Sequence, residues 1–210
     1  MPVLRNIRTS TASTARNTTT KEGDSAVNYD LPTSVEVCGA VYPICSDYRV
    51  ILGICEALND PELNDTDKVC VALSLFYEDV KAIPPEHYNE ALRQCFWFID
   101  CGEDDAGQTP AQPKLMDWAQ DFRYIVAPVN RVMGQEVRAL DYLHWWTFIS
   151  AYYEIGDCFF AQCVRIRDMQ AHGKQLDKID REFYRKNRKI IDIKTTYTER
   201  ENELLAQWLR

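Results

Sequence analysis

The first 28 residues carry no periodic alternation of apolar and polar positions. Ser10, Thr11, Ser13, Thr14 and Thr18 to Thr20 form a polar tract with little apolar area to set against the entropy of ordering. A disordered, basic, Ser/Thr-rich tail is expected over 1–28. The pattern then alternates through Ser34-Val-Glu-Val-Cys38, followed by Gly39-Ala40 and Val41-Tyr-Pro-Ile-Cys45. Alternation puts one set of side chains on one face, and Gly39-Ala40 suits a two-residue turn, so the spacing predicts a β-hairpin at 34–45. Pro43 has no N–H to donate, which predicts an open edge there. A lone hairpin is marginal and must pack on the helices next in the chain.

From Ser46 onward apolar residues recur at three- and four-residue steps, the helical period. Ser46 or Asp47 caps a helix reaching Leu58, with Val50, Ile51, Ile54, Cys55 and Leu58 on one face, and Asp60-Pro61 stops it. Asp65 or Thr66 caps a second, with Val69, Ala72, Leu73 and Phe76 inward. Pro84-Pro85 opens a third, lined by Tyr88, Leu92, Cys95, Phe96 and Ile99 and stopped at Gly102. An acidic Gly/Pro/Gln loop covers 103–113. Leu115, Trp118, Phe122, Ile125, Val129 and Val132 then define an amphipathic helix, kinked at Pro128 and ended by Gly134. Asp141 caps an aromatic helix, Tyr142 to Tyr153. Gly156-Asp157 ends that helix and caps the next, which reaches Gln170. A charged helix spans Asp177 to Lys194, and Thr198-Glu-Arg-Glu201 is a capping box for a short last helix carrying Leu204, Leu205, Trp208 and Leu209. The expectation is a mainly α fold: a compact bundle of about six to eight helices with one N-terminal β-hairpin, occupying 29–194 and followed by the short helix within 195–210.

Composition narrows the function classes. Hydrophobic content of 46% and charged content of 27% are ordinary for a folded domain. No apolar run approaches the roughly 20 residues that span a bilayer, and the basic start lacks the apolar segment of a secretory signal. The start has the Ser/Thr/Arg bias of a transit peptide but no amphipathic face. A net charge of −8 argues against a nucleic-acid binder. The charge is uneven, acidic from Glu56 to Asp105 and basic from Lys174 to Lys194, and two solvated faces are the simplest account. Eight cysteines show no C-x-x-C and no zinc spacing, which predicts reduced, mostly buried thiols and no metal or other cofactor.

Candidate chemistry is sparse. There is no Walker A loop, G-x-G-x-x-G, H-E-x-x-H or G-x-S-x-G, and Glu103, Asp104 and Asp105 lack calcium-loop spacing. Asp141 and His144 would be helix neighbours, but without a nucleophile a structural His beside a cap is the plainer account, and no enzyme is expected. Trp145 and Trp146 are adjacent, so on a helix they point about 100° apart and cannot both face one core. With Phe148, Tyr152 and Tyr153 they make a helix apolar on nearly every side. Such a helix is either central or part of a partner groove. Tyr142, His144, Trp145, Trp146, Phe148 and Tyr152 are therefore the candidate partner-binding residues.

Several ordered segments resemble one family. Leu31-Pro-Thr-Ser-Val-Glu-Val-Cys-Gly39, Tyr42-Pro-Ile and Ser46-Asp-Tyr-Arg49 look like the opening of the phage "gene product fifteen" family. Ala91-Leu-Arg-Gln-Cys-Phe-Trp-Phe-Ile-Asp-Cys-Gly102, Leu115-Met-Asp-Trp-Ala-Gln-Asp-Phe-Arg-Tyr-Ile125, Leu140-Asp-Tyr-Leu-His-Trp-Trp-Thr-Phe148, Cys163-Val-Arg-Ile-Arg167 and the basic helix around Phe183-Tyr184 come after it in order. The chain departs in its Thr-rich start and in Phe96-Trp97, where Arg-Trp or Leu-Trp is more usual. Members are encoded between the major tail protein and the tape measure protein of phages with long non-contractile tails. The resemblance implies a tail assembly chaperone, acting in the host cytoplasm and absent from the mature virion. It would keep the tape measure protein soluble while the tail tube polymerises. The major tail protein is a further candidate partner, and self-association stays open. The competing class is a structural virion component, such as a tail completion or connector protein. The family has no accepted catalytic residues.

Overall fold

The computed structural model describes residues 30–103 and 113–194; the tail at 1–28, the acidic loop at 104–112 and the short helix expected within 195–210 lie outside them. Two strands, β1 (Ser34–Val37) and β2 (Ala40–Pro43), pair antiparallel with Val37 opposite Ala40 and Ser34 opposite Pro43. The connecting residues are Cys38 and Gly39, one position earlier than the spacing suggested. Both have positive φ, +50° and +86°, the signature of a primed turn, and glycine at the second position takes it without cost. Val35 and Val37 turn inward onto the third helix. The edge expected to be open at Pro43 is instead met by the chain leaving the second helix. Cys45 N–H donates to Phe76 O at 2.8 Å, and Glu78 N–H donates to Pro43 O at 3.3 Å.

Seven α-helices follow among the described residues: α1 (Tyr48–Asn59), α2 (Asp65–Phe76), α3 (Tyr88–Ile99), α4 (Trp118–Met133), α5 (Trp145–Tyr153), α6 (Phe159–Ala171) and α7 (Lys178–Ile191). Short 3-10 turns at Val80–Ala82, Pro85–His87 and Val137–Ala139 join them, so Pro84-Pro85 opens a tight turn ahead of α3 rather than α3 itself. The mainly α fold with an N-terminal hairpin is the one the periodicity predicts. Caps differ in detail. Asp47 caps α1 as expected, but α2 is capped by Asn64, whose side chain accepts the Asp67 N–H. α6 is capped by Cys158, whose thiol accepts from Ala161, not by Asp157. α4 continues through Pro128 to Met133 and stops at Gly134 with φ +70°. Leu115 precedes α4, outside any regular element, yet is buried, while Val132 is exposed. α7 ends at Ile191, short of Lys194.

The packing forms a series: α7 lies on α6, α6 on α4, α4 on α1 and α5, α1 on α2, and α2 on α3. One core runs from the hairpin through α1 to α5 and Phe160. A small second core, Cys163, Ile166 and Ile191 with Leu176, Phe183, Tyr184 and Ile190, joins α7 to α6.

A candidate partner-binding surface around residues 142–152

The aromatic segment does not start as a helix at Asp141. Residues 142–144 are extended and cross α1's start. Tyr48 N–H donates to Leu143 O at 2.9 Å and Trp145 N–H to Ser46 O at 2.8 Å. Asp47 explains the delay. Its carboxylate caps α1 through the Arg49 N–H and also accepts the Leu143 N–H at 3.0 Å, so the acid that holds 142–144 lies 96 residues away. Arg49 adds bonds to the Leu140 and Asp141 carbonyls. The cap of α5 is His144.

His144 is buried, and both ring nitrogens are committed. Nδ1 accepts the Trp146 N–H at 3.1 Å, which leaves Nε2 as the protonated nitrogen donating to Pro32 O at 3.0 Å. The neutral ring is thereby fixed in one tautomer, and burial lowers its pKa below the ordinary histidine value. The Pro32 carbonyl hydrogen bond opposes that shift but is the smaller influence. Neither nitrogen is left to act as a base, and Asp141 does not touch the ring.

The two tryptophans share one task despite pointing apart. Trp145 is fully buried and donates its indole N–H to Ile99 O at 2.9 Å; Trp146 donates to Phe98 O at 2.9 Å. Together with Asp100, Cys101 and Gly102 N–H groups on Phe96, Phe98 and Trp97 carbonyls, they satisfy the last carbonyls of α3. Gly102 turns the chain there at φ +84°. A Cβ at Gly102 would lie 3.3 Å from Trp146 Cη2 and 3.5 Å from Trp97 Cζ2, so the positive φ favours glycine and an added Cβ would press on the Trp146 ring. Phe148 stacks on Tyr48 at 4.7 Å, and Tyr152 donates its hydroxyl to Met116 Sδ. Burial raises the Tyr152 hydroxyl's pKa.

Of the six candidate residues, His144, Trp145, Phe148 and Tyr152 therefore lie inside the core, Trp146 is half-buried against Trp97, and only Tyr142 is largely exposed, at 53%. Tyr142 is held by a 2.7 Å hydrogen bond between its hydroxyl and Ser46 Oγ. Tyr153, 42% exposed, is a second surface aromatic, at the end of α5, its hydroxyl pushed up to about 12 by burial and by Cys101, Glu103 and Asp100. All eight cysteines are free thiols; Cys55, Cys95 and Cys163 are buried, and burial pushes Cys55 up to about 12, where it is unreactive at neutral pH.

No sequence pattern marked Arg167 for a structural role. It lies four residues after Cys163 and seven after Phe160, on α6's apolar face, and that placement was the available signal. Its side chain and that of Asp121 are 4% and 1% exposed. All five of its N–H groups are used. Nε donates to Ile191 O at 2.6 Å. Nη1 donates to Asp121 Oδ2 at 2.7 Å and Leu115 O at 2.9 Å. Nη2 donates to Asp121 Oδ1 at 3.0 Å and Ile190 O at 2.9 Å. Gln120 completes the clasp. It donates to Ile190 O and Asp192 O and accepts the Lys194 N–H. The carbonyl end of α7 thus meets a cation and an amide set by α6 and α4.

The model of one family, described as the bacteriophage Gp15 protein, matches residues 27–193. No curated protein and no solved structure matches the chain.

Proposed function

The chain belongs to the bacteriophage Gp15 protein family, and from that membership we propose that it is a tail assembly chaperone that binds the tape measure protein and holds it soluble while the tail tube polymerises. The family match over 27–193 carries the reading, since it takes in every described helix. The ordered segments from Leu31 to the basic helix around Phe183-Tyr184 support it through the gene neighbourhood that the resemblance implies. The host cytoplasm is the place of action on this reading.

The binding surface is the part of the aromatic segment that the core leaves outside. Aromatic anchors contribute most where they enter a partner's pocket, and a helix with an apolar face would be the natural ligand. Tyr142 and the outer edge of the Trp97–Trp146 pair are the anchors. Buried His144, Trp145, Phe148 and Tyr152 hold them in position. The acidic stretch around 56–103 steers basic segments of the partner, an effect that weakens with salt.

Coexpression with tape measure fragments tests the reading. Fragments should be soluble with this protein and insoluble without it. Tyr142→Ala should lower that rescue without changing the circular dichroism spectrum, because the ring is largely outside the core. If coexpression never improves solubility and purified virions hold a fixed copy number of this protein, the chaperone reading falls and a structural tail component replaces it.

A further inference from the structure

We propose that copies of this chain associate head to tail, the outward basic stripe of α7 in one copy meeting the acidic α1–α2 end of the next. Lys178, Arg181, Arg185, Arg188 and Lys189 recur at three- and four-residue steps and are all exposed, on the face opposite Asp180, Asn187 and Ile191. From Lys178 to Lys189 the stripe is about 16 Å long. Part of its charge is answered locally, by Arg188 to Asp192 and by an Arg181 bond to the Asp177 carbonyl. The nearby Lys186 pairs with Glu182. Lys178, Arg185 and Lys189 have no partner among the described residues.

The complementary field lies on the same chain. Residues 56–103 contain eleven acids and three bases, whereas 174–194 contain eight bases and four acids. Glu56 on α1 and Asp65 on α2 are exposed, and Glu62 lies in the turn between them. In the packing series α6, α4 and α1 stand between α7 and α2, so among the described residues the basic stripe and the α1–α2 end belong to different parts of the fold. A second copy supplies the match without any further partner. Because the two surfaces are separated along the packing series, a copy that uses one presents the other to a further copy, and the assembly grows into an open chain or closes into a ring rather than stopping at a twofold dimer. The four acids within 174–194 dilute the field a polyanion would require, which favours a protein surface over nucleic acid.

Sedimentation velocity of the full chain tests this directly. At roughly 0.01 M salt the screening length is about 30 Å, and at roughly 0.15 M it is about 8 Å. The weight-average mass should rise with concentration at low salt, pass beyond a dimer, and fall toward the monomer as salt increases. The Lys178→Glu/Arg185→Glu/Lys189→Glu variant should weaken association by more than about tenfold, three attractions having become repulsions. A Glu56→Lys/Asp65→Lys variant should weaken it as well. Mixing the two variants should restore association, since each then presents the charge the other lacks. All substituted positions are exposed, and circular dichroism is the check that both variants are folded. A wild-type chain that stays monomeric at low salt overturns the proposal, as does a mixture of folded variants that fails to associate.

Discussion

Replacing Arg167 with Met removes one cation and five hydrogen-bond donors from the place where α6, α4 and the end of α7 meet. The Asp121 carboxylate would remain buried with only the Asp117 N–H at 3.0 Å, and the Leu115 and Ile191 carbonyls would lose the guanidinium donor. The Ile190 carbonyl would keep Gln120. Breaking a buried pair by removing one partner costs about 3–5 kcal/mol, because the other charge stays out of water. A chain of this size loses about 2–4 °C of Tm per kcal/mol, so the expected drop is on the order of 10 °C. Thermal melting by circular dichroism reads it, with urea unfolding as a check on ΔG. The double variant Arg167→Met/Asp121→Leu should recover a large part of the loss, since no unpaired charge is left. Amide exchange should show α7 opening first, because its carbonyl end loses the clasp while Gln120 alone remains. A single variant that melts within ~2 °C of wild type would show that the pair is not what holds α7, and the reasoning would fail.

Three further outcomes rest on contacts of the same kind. Gly102→Ala should cost about 1–3 kcal/mol, since it combines a positive φ with a 3.3 Å approach to Trp146; an unchanged melting temperature would refute the close packing. His144 is held neutral with a lowered pKa, so the unfolded chain binds more protons in acid. Stability should therefore be full above about pH 6.5 and decline as pH falls below it, and His144→Asn should flatten that decline in melts between pH 5 and 8. Trp145→Phe should destabilise more than Trp118→Phe, although both lose the same ring area. Trp145 gives up a bond that satisfies Ile99 O, whereas the buried Trp118 indole N–H has no partner among the described residues. Equal losses in urea unfolding would count against the capping role of Trp145.

Period and punctuation carried much of the architecture. Three- and four-residue recurrence identifies a helix without knowledge of its neighbours, and Gly102 and Gly134 end α3 and α4 by a local backbone preference. The departures share a cause: a distant group displaced the local signal. Asp141 is a sound cap by sequence, but Asp47 already holds the Leu143 N–H, so 142–144 stay extended and His144 becomes the cap. The turn at Cys38–Gly39 rather than Gly39–Ala40 comes from the pairing of Val37 with Ala40, which turns Val35 and Val37 into the core.

The candidate surface illustrates the same limit more sharply. Adjacent tryptophans on a helix point about 100° apart, and from that alone one of them should face outward. The end of α3 removes the need. Its last carbonyls require donors, and two indole N–H groups on successive residues reach the successive carbonyls of Ile99 and Phe98. A helix terminus is thus the surface that two diverging tryptophans can share. Aromatic density in this segment measures the cost of closing α3 as much as any affinity for a partner. What is left for recognition is the portion no carbonyl claims: the Tyr142 ring, tethered only through its hydroxyl to Ser46, and the outer edge of Trp146 against Trp97. Substitutions there should separate binding from folding, whereas substitutions at Trp145 or Phe148 cannot.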